Sequence, residues 1–200
     1  EPMCGICGFA FADAARPAPP GVIDRMTDAL AHRGPDDRGT FAEPGCALGH
    51  RRLSIIDLSP AGHQPMTNED GSLQIVFNGE IYNYRDLRPG LEAAGHIFHS
   101  TSDTEVLLHL YEQRGEACLE QLRGMFAFAI WDRRRRCLFA ARDRVGKKPF
   151  VYAHASGGDF AFSSELASLV ASPGFSREVD ETALHHYLTF QFVPCPHTIW

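Results

Sequence analysis

The apolar positions change period several times along the chain, and each change marks an element. Residues 3–11 are small and apolar, with Gly5 and Gly8, and predict a buried strand. A Pro/Ala-rich loop at 14–21 follows. Val22, Ile23, Met26, Ala29 and Leu30 then recur at helical spacing. Gly34 and Pro35 stop that helix. Short strands are predicted at 39–42, 46–56 and 73–77, the last ending at an Asn78-Gly79 turn. Residues 84–94 predict a helix with Pro89-Gly90 as a candidate interruption, and 104–114 a second one capped by Ser102 or Asp103. Residues 125–131 and 137–142 form a predicted hairpin whose strands are apolar on both faces, as in an inner sheet of a layered fold. A further hairpin is expected at 150–154 and 160–163, across Ser156-Gly157-Gly158-Asp159, followed by helical stretches at 164–170 and 180–189. Residues 190–200, with Pro194 and Pro196, read as a linker leading to another domain.

Two hundred residues suffice for one domain with a sizeable core. The net charge of -6 disfavours a general nucleic-acid binder. The Arg133–Arg136 run lacks interleaved aromatics and reads as a solvated hairpin tip. The apolar runs at 126–131 and 138–141 are too short to cross a bilayer, and no charged-then-apolar leader opens the chain. These features give the expectation of a cytoplasmic protein with no nucleic-acid or membrane partner. Six cysteines are too sparse for a disulfide scaffold, and only Cys4 and Cys7 are close. His96 and His99 form one His-x-x-His, but a structural zinc site would want a second close pair, so no metal is expected.

Four constellations could carry chemistry. Cys4 is a thiol that needs a base, and a cysteine exposed at a chain start can use its own α-amine. Met3-Cys4 resembles a translation start whose methionine is removed, whereas Glu1-Pro2 ahead of it cannot begin translation. Asn78-Gly79 is either a plain turn or a pair of converging donors, one side chain and one backbone, of the kind a tetrahedral oxyanion requires. Arg52 lies inside an apolar strand and needs either an internal carboxylate or an anionic ligand. Asp103 is either a helix cap or a ligand for an ammonium group.

In this order the residues resemble one family. MCGICGF (3–9), HRGPDD (32–37), RLSIID (52–57), QPM (64–66), NGEIYN (78–83), SDTEV (102–106), GMFAFAIWD (124–132), ARDRVGKKP (141–149) and FSSE (162–165) are similar to the N-terminal glutaminase domain of glutamine-hydrolysing asparagine synthetases, which are class II glutamine amidotransferases. The resemblance covers residues 3 to about 170. It implies an α+β, four-layer αββα N-terminal-nucleophile hydrolase fold, with the glutaminase domain at 4–170 and a linker and domain start at 171–200. It implies that Cys4 attacks the glutamine side-chain amide while its freed α-amine relays protons, and that Asn78 and the Gly79 N–H hold the oxyanion. Arg52, Ile55, Glu80 and Asp103 would bind the substrate, Arg52 at its α-carboxylate and Asp103 and Glu80 at its α-ammonium.

The same resemblance implies glutamine and the chain's own C-terminal synthetase domain as partners, with a homodimer left open. No cofactor is expected for the glutaminase half; ATP and magnesium belong to the synthetase domain. With Glu1–Met3 in place the α-amine of Cys4 is locked in a peptide bond, and such a chain is expected to be a poor glutaminase. Three other readings compete: a redox or metal module on Cys4 and Cys7, a non-catalytic assembly or regulatory domain, and an amidotransferase for a carboxylate other than aspartate.

Overall fold

The computed structural model describes residues 3–155, 157–195 and 197–200. In chain order the elements are β1 (Gly5–Ala10), α1 (Val22–Asp28), β2 (Asp37–Glu43), β3 (Cys46–Arg52), β4 (Met66–Thr67), β5 (Leu73–Ile81), α2 (Tyr84–Ala93), α3 (Asp103–Arg114), β6 (Gly124–Asp132), β7 (Cys137–Arg142), β8 (Val151–His154), β9 (Phe160–Ser163), α4 (Leu166–Leu169) and α5 (Glu181–Phe190). Two antiparallel sheets form, one in the order β2-β3-β1-β9-β8 and the other β4-β5-β6-β7.

Strand alternation sorts the core into three layers. Cys7, Phe9 and Phe11 of the first segment face Val22, Ile23 and Met26 of α1. Ile6, Leu48, Val76, Ala127, Ala129, Trp131 and Phe162 fill the space between the sheets. Ile75, Phe77, Ile81 and Phe128 face Val106, Leu107 and Leu110 of α3. The result is helix, sheet, sheet, helix, as expected. Gly8 has no room for a side chain within its own sheet: a Cβ there would come within 2.7 Å of the Ala47 carbonyl on β3 and 2.8 Å of the Phe162 ring on β9. Emptying a fully buried site such as Phe128 by substitution to Ala would cost about 3–5 kcal/mol.

Several local expectations are corrected. β5 does not turn at Asn78-Gly79 but pairs with β6 as far as Ile81. β3 stops at Arg52 rather than residue 56, because the next N–H groups bond elsewhere: Leu53 to Cys4 Sγ at 3.3 Å and Ser54 to Asp36 Oδ2 at 2.8 Å. Pro89-Gly90 does not interrupt α2; Pro89 lies on the exposed side, where the Arg85 carbonyl can do without its donor. The cap of α3 is Ser102, which accepts the Thr104 N–H at 3.2 Å, and Asp103 is the first helical residue. β7 is only half-buried, unlike β6, because it is a sheet edge. Residues 198–200 fold back, with Asp180 N donating to Ile199 O at 3.0 Å and Trp200 edge-on to Phe175. The Arg133–Arg136 run is an exposed hairpin tip, as expected; among the described residues Arg133 and Arg136 pair there with Glu43 and Arg134 with Asp70. The β8–β9 hairpin forms as expected, although Ser156 in its turn lies outside the described residues, as do Glu1, Pro2 and Pro196. Among the described residues no helix is long and apolar enough to cross a membrane.

Candidate active site

Cys4 stands one residue before β1 and shares the alternation of Ile6, so it belongs to the face between the sheets, whereas Cys7 is sealed against α1. The two are free thiols on opposite faces. Motifs far apart in sequence brace the backbone here. Arg33 Nε donates to Cys4 O at 3.1 Å and its Nη1 pairs with Glu165 at 2.8 Å. Ser164 closes the other side, its hydroxyl accepting the Ile6 N–H at 3.0 Å. Burial pushes the Cys4 thiol above its ordinary range, against the opposing pull of the Leu53 N–H, Arg52 and Lys148. A thiol in that state needs a base to become a nucleophile.

The β1–β3 register (Gly5 opposite Arg51) continues to place Arg52 beside Cys4. Arg52 is buried, and among the described residues it makes no ion pair. Its guanidinium donates to backbone carbonyls, Ser59 O at 2.9 Å and Asp57 O. The internal salt bridge considered for Arg52 is therefore not formed, and its charge remains for an anion. Gly62 makes room for it: a Cβ there would lie 2.0 Å from Nη2. Asp57 locks this loop by accepting from Ser59 and, through Oδ2, from Thr101 N at 2.9 Å. The Ser59 hydroxyl and the Thr101 amide hold the Asp57 carboxyl down at about 2. Ile55 lies in the same loop with its side chain exposed.

The edge of β5 is the other half of the site. Tyr82 N donates to Arg123 O and Arg133 N to Ser72 O, which fixes the ladder: even-numbered residues of β5 bond to β6, and odd-numbered ones point to the opposite edge. On that edge Phe77 N is taken by Gln64 Oε1 at 2.6 Å and Ile81 N by Asp103 Oδ2 at 2.8 Å. Gly79 N, between them, has no acceptor among the described residues. Its lack of a side chain is required by β6, since a Cβ would sit 2.3 Å from the Met125 carbonyl. Asn78 and Glu80 alternate with it onto the Val76 face, toward the other sheet. Asn78 is 1% exposed, and its Nδ2 has no hydrogen-bond partner among the described residues. An unsatisfied buried donor costs about 1–3 kcal/mol, so its retention asks for a reason.

Burial, with repulsion from Glu80 behind it, raises the Asp103 carboxyl to about 6 despite its backbone hydrogen bonds. Asp103 and Arg52 also act electrostatically on Cys4, so the expected residues Cys4, Arg52, Asn78, Gly79, Glu80 and Asp103 form one neighbourhood.

Sequence reasoning missed two residues. Lys148 is buried, with its ammonium 3.4 Å from Met3 Sδ and within electrostatic reach of Cys4 and Glu80; burial lowers its pKa. Asp143 positions it by accepting the N–H groups of Lys147 and Lys148 at 2.9 and 3.1 Å. His50 faces the same inter-sheet space and bonds to Phe77 O through Nε2 at 3.1 Å. Complete burial drives its pKa down to about 3, so it is neutral, with Nε2 as the donor. The stretch ARDRVGKKP contained Lys148 and Asp143, but a lysine among four basic or acidic neighbours gives no sign of burial. A separate cavity of about 550 Å³, lined by Phe11, Tyr152, Leu166 and Phe175, shares no residue with this cluster.

Two stacked antiparallel sheets lie between helices, with the Cys4 thiol just ahead of the first strand and, on β5, two donors without acceptors among the described residues, Asn78 Nδ2 toward the other sheet and Gly79 N at the strand edge. The family described as "Glutamine amidotransferase domain" matches residues 3–200, and the chain belongs to it. It is 46% identical over 184 residues to "Asparagine synthetase [glutamine-hydrolyzing] 3" of Bacillus subtilis (strain 168), an alignment covering 91% of this chain and 30% of the relative. It is 44% identical over 199 residues to "Asparagine synthetase [glutamine-hydrolyzing] 1" of the same organism, covering 98% of this chain and 31% of the relative. The chain thus spans about a third of the length of these relatives. Among solved structures, the glutamine phosphoribosylpyrophosphate amidotransferase of B. subtilis superposes with a TM-score of 0.70 at 24% identity, over 88% of this chain and 45% of that one, and so shares the fold.

Proposed function

We propose that this domain hydrolyses the side-chain amide of glutamine to glutamate and ammonia. Cys4 Sγ adds to the amide carbon, the tetrahedral oxyanion is held by Asn78 Nδ2 and Gly79 N–H, and the C–N bond breaks with a proton delivered to the departing ammonia. Water then cleaves the thioester. Arg52 grips the substrate carboxylate, and Asp103 with Glu80 its ammonium. In a chain processed to begin at Cys4, the free α-amine takes and returns the proton. The observation that carries this reading is the pair of unpaired donors on β5, Asn78 Nδ2 and Gly79 N, on the strand that packs against β1. The ammonia is passed to a synthetase domain that uses ATP and magnesium, with aspartate as acceptor. The relatives' length supports this, as does α5, which holds Leu188 73% exposed and is followed by Phe192 at 60%.

The test is ammonia release from glutamine by chains with and without residues 1–3. The trimmed chain turns over, the untrimmed one does so poorly, and trimmed Cys4→Ala not at all. Cys7→Ala keeps turnover, because Cys7 is a core residue facing α1. Normal turnover by trimmed Cys4→Ala would sink the proposal.

A further inference from the structure

Outside the active site, four side chains from three segments converge on one point. Glu69 follows β4, His96 lies in the connection between α2 and α3, and His109 and Glu112 sit at i and i+3 on one face of α3. One ligand atom from each lies within 4.8 Å of the others. His109 Nδ1 is 3.4 Å from Glu112 Oε2 and 3.6 Å from Glu69 Oε2, and His96 Nδ1 is 3.6 Å from Glu112 Oε2 and 3.9 Å from Glu69 Oε1. Charge-assisted hydrogen bonds are shorter, about 2.7–2.9 Å. The edge of a tetrahedron with metal–ligand bonds of about 2.0–2.1 Å is about 3.3 Å, and the pairs above, with Glu69 turning Oε2 to His109 and Oε1 to His96, lie from that spacing to somewhat wider.

We propose that Glu69, His96, His109 and Glu112 form a structural site for a divalent transition-metal ion of the zinc class. His109 is 1% exposed, with Nδ1 aimed into the cluster and Nε2 without a hydrogen-bond partner among the described residues. With the metal on Nδ1, Nε2 keeps its proton and faces Glu105 Oε1 at 3.9 Å, an outer carboxylate of the kind that orients metal-bound imidazoles. The glutamates are oriented too. Glu69 Oε1 accepts the Ile97 N–H at 2.9 Å, and Glu112 Oε1 accepts from Asn68 Nδ2 at 3.1 Å, so each carboxylate turns an oxygen toward the imidazoles. Two imidazoles and two carboxylates suit zinc, with no open position for catalysis. His99, the partner that sequence spacing offered to His96, is not a member. The ion would clamp the α2–α3 connection, which runs directly into Ser102 and Asp103, and so would brace the substrate-binding carboxylate from outside.

The test treats the purified protein with chelator, dialyses it, and titrates it with Zn²⁺ while metal content and Tm are measured; Co²⁺ serves as a spectroscopic probe. The parent and Cys4→Ser are expected to bind one equivalent, to gain Tm with zinc, and to give the intense visible bands of tetrahedral Co²⁺. His96→Ala and Glu112→Gln, which alter partly exposed side chains, are expected to fold and to bind zinc at least tenfold more weakly, with neither the Tm gain nor the Co²⁺ bands. Unchanged uptake in both variants, loss of uptake in Cys4→Ser, or no stoichiometric uptake by the parent overturns the proposal.

Discussion

The Asp103 carboxylate accepts the Ile81 N–H at 2.8 Å, which pins the first residue of α3 to the edge of β5 two positions past Gly79. One acidic side chain thereby closes that edge and stands ready for an ammonium group. With Gln64 holding Phe77 N on the other side, Gly79 is left as the one unoccupied donor of the three.

Asp103 makes glutamine binding pH-dependent. Its carboxyl titrates near 6 rather than near 3.8, so it is ionised above about 6 and loses its charge as the pH falls through that value. KM for glutamine should rise as the pH drops from 7 to 5. Asp103→Asn should raise KM at pH 7 and flatten the profile. A pH-independent KM in the parent removes Asp103 from ammonium binding.

Asn78 and Arg52 should separate kinetically. Asn78→Ala deletes an oxyanion donor, so kcat should fall by about 100-fold or more with KM little changed. Arg52→Ala removes a charged contact to the carboxylate, about 1.5–3 kcal/mol, which appears mainly as a raised KM. Steady-state kinetics on trimmed enzyme decides both; equal effects on the two constants would contradict the assigned roles.

Gly79→Ala should destabilise the fold itself, because the added methyl meets the Met125 carbonyl at 2.3 Å and the Phe126 Cα at 2.7 Å, backbone atoms that can yield only by parting β5 from β6. The expected loss is about 1–3 kcal/mol. Urea denaturation measures it, and an unchanged midpoint would mean the two strands are less tightly apposed.

His50 should contribute to acid sensitivity. Its pKa is about 3 when buried, against an ordinary 6.5, so between these values the unfolded chain binds the proton and the native one does not. Stability is then fully retained above about 6.5 and is lost progressively as the pH falls toward 3. His50→Gln should show a shallower decline across that window, read from denaturation midpoints at several pH values. Parallel curves would exclude His50 as a source.

Local chemistry determined much of this protein before any contact was known. Helical spacing at Val22, Ile23 and Met26, the alternation through Phe126, Phe128 and Ile130, and the start of α3 at Ser102 or Asp103 depend on residues close in sequence, and these elements were legible; which of the two caps the helix was decided by the structure. So was the candidate nucleophile, since a cysteine beside a start-like methionine is a local signal. The extent of β5 was not, because Asn-Gly favours a turn in isolation, and only nine residues of pairing with β6 hold it straight. Nor could the sequence tell that Arg52 would lack a carboxylate partner, that Asn78 would keep an unpaired buried donor, or that His50 and Lys148 would be desolvated. Burial and hydrogen-bond satisfaction depend on which distant segments meet. The cluster of Glu69, His96, His109 and Glu112 was hidden for the same reason: its members come from three segments, and only the packing of α3 against the β4 and α2 connections brings them together.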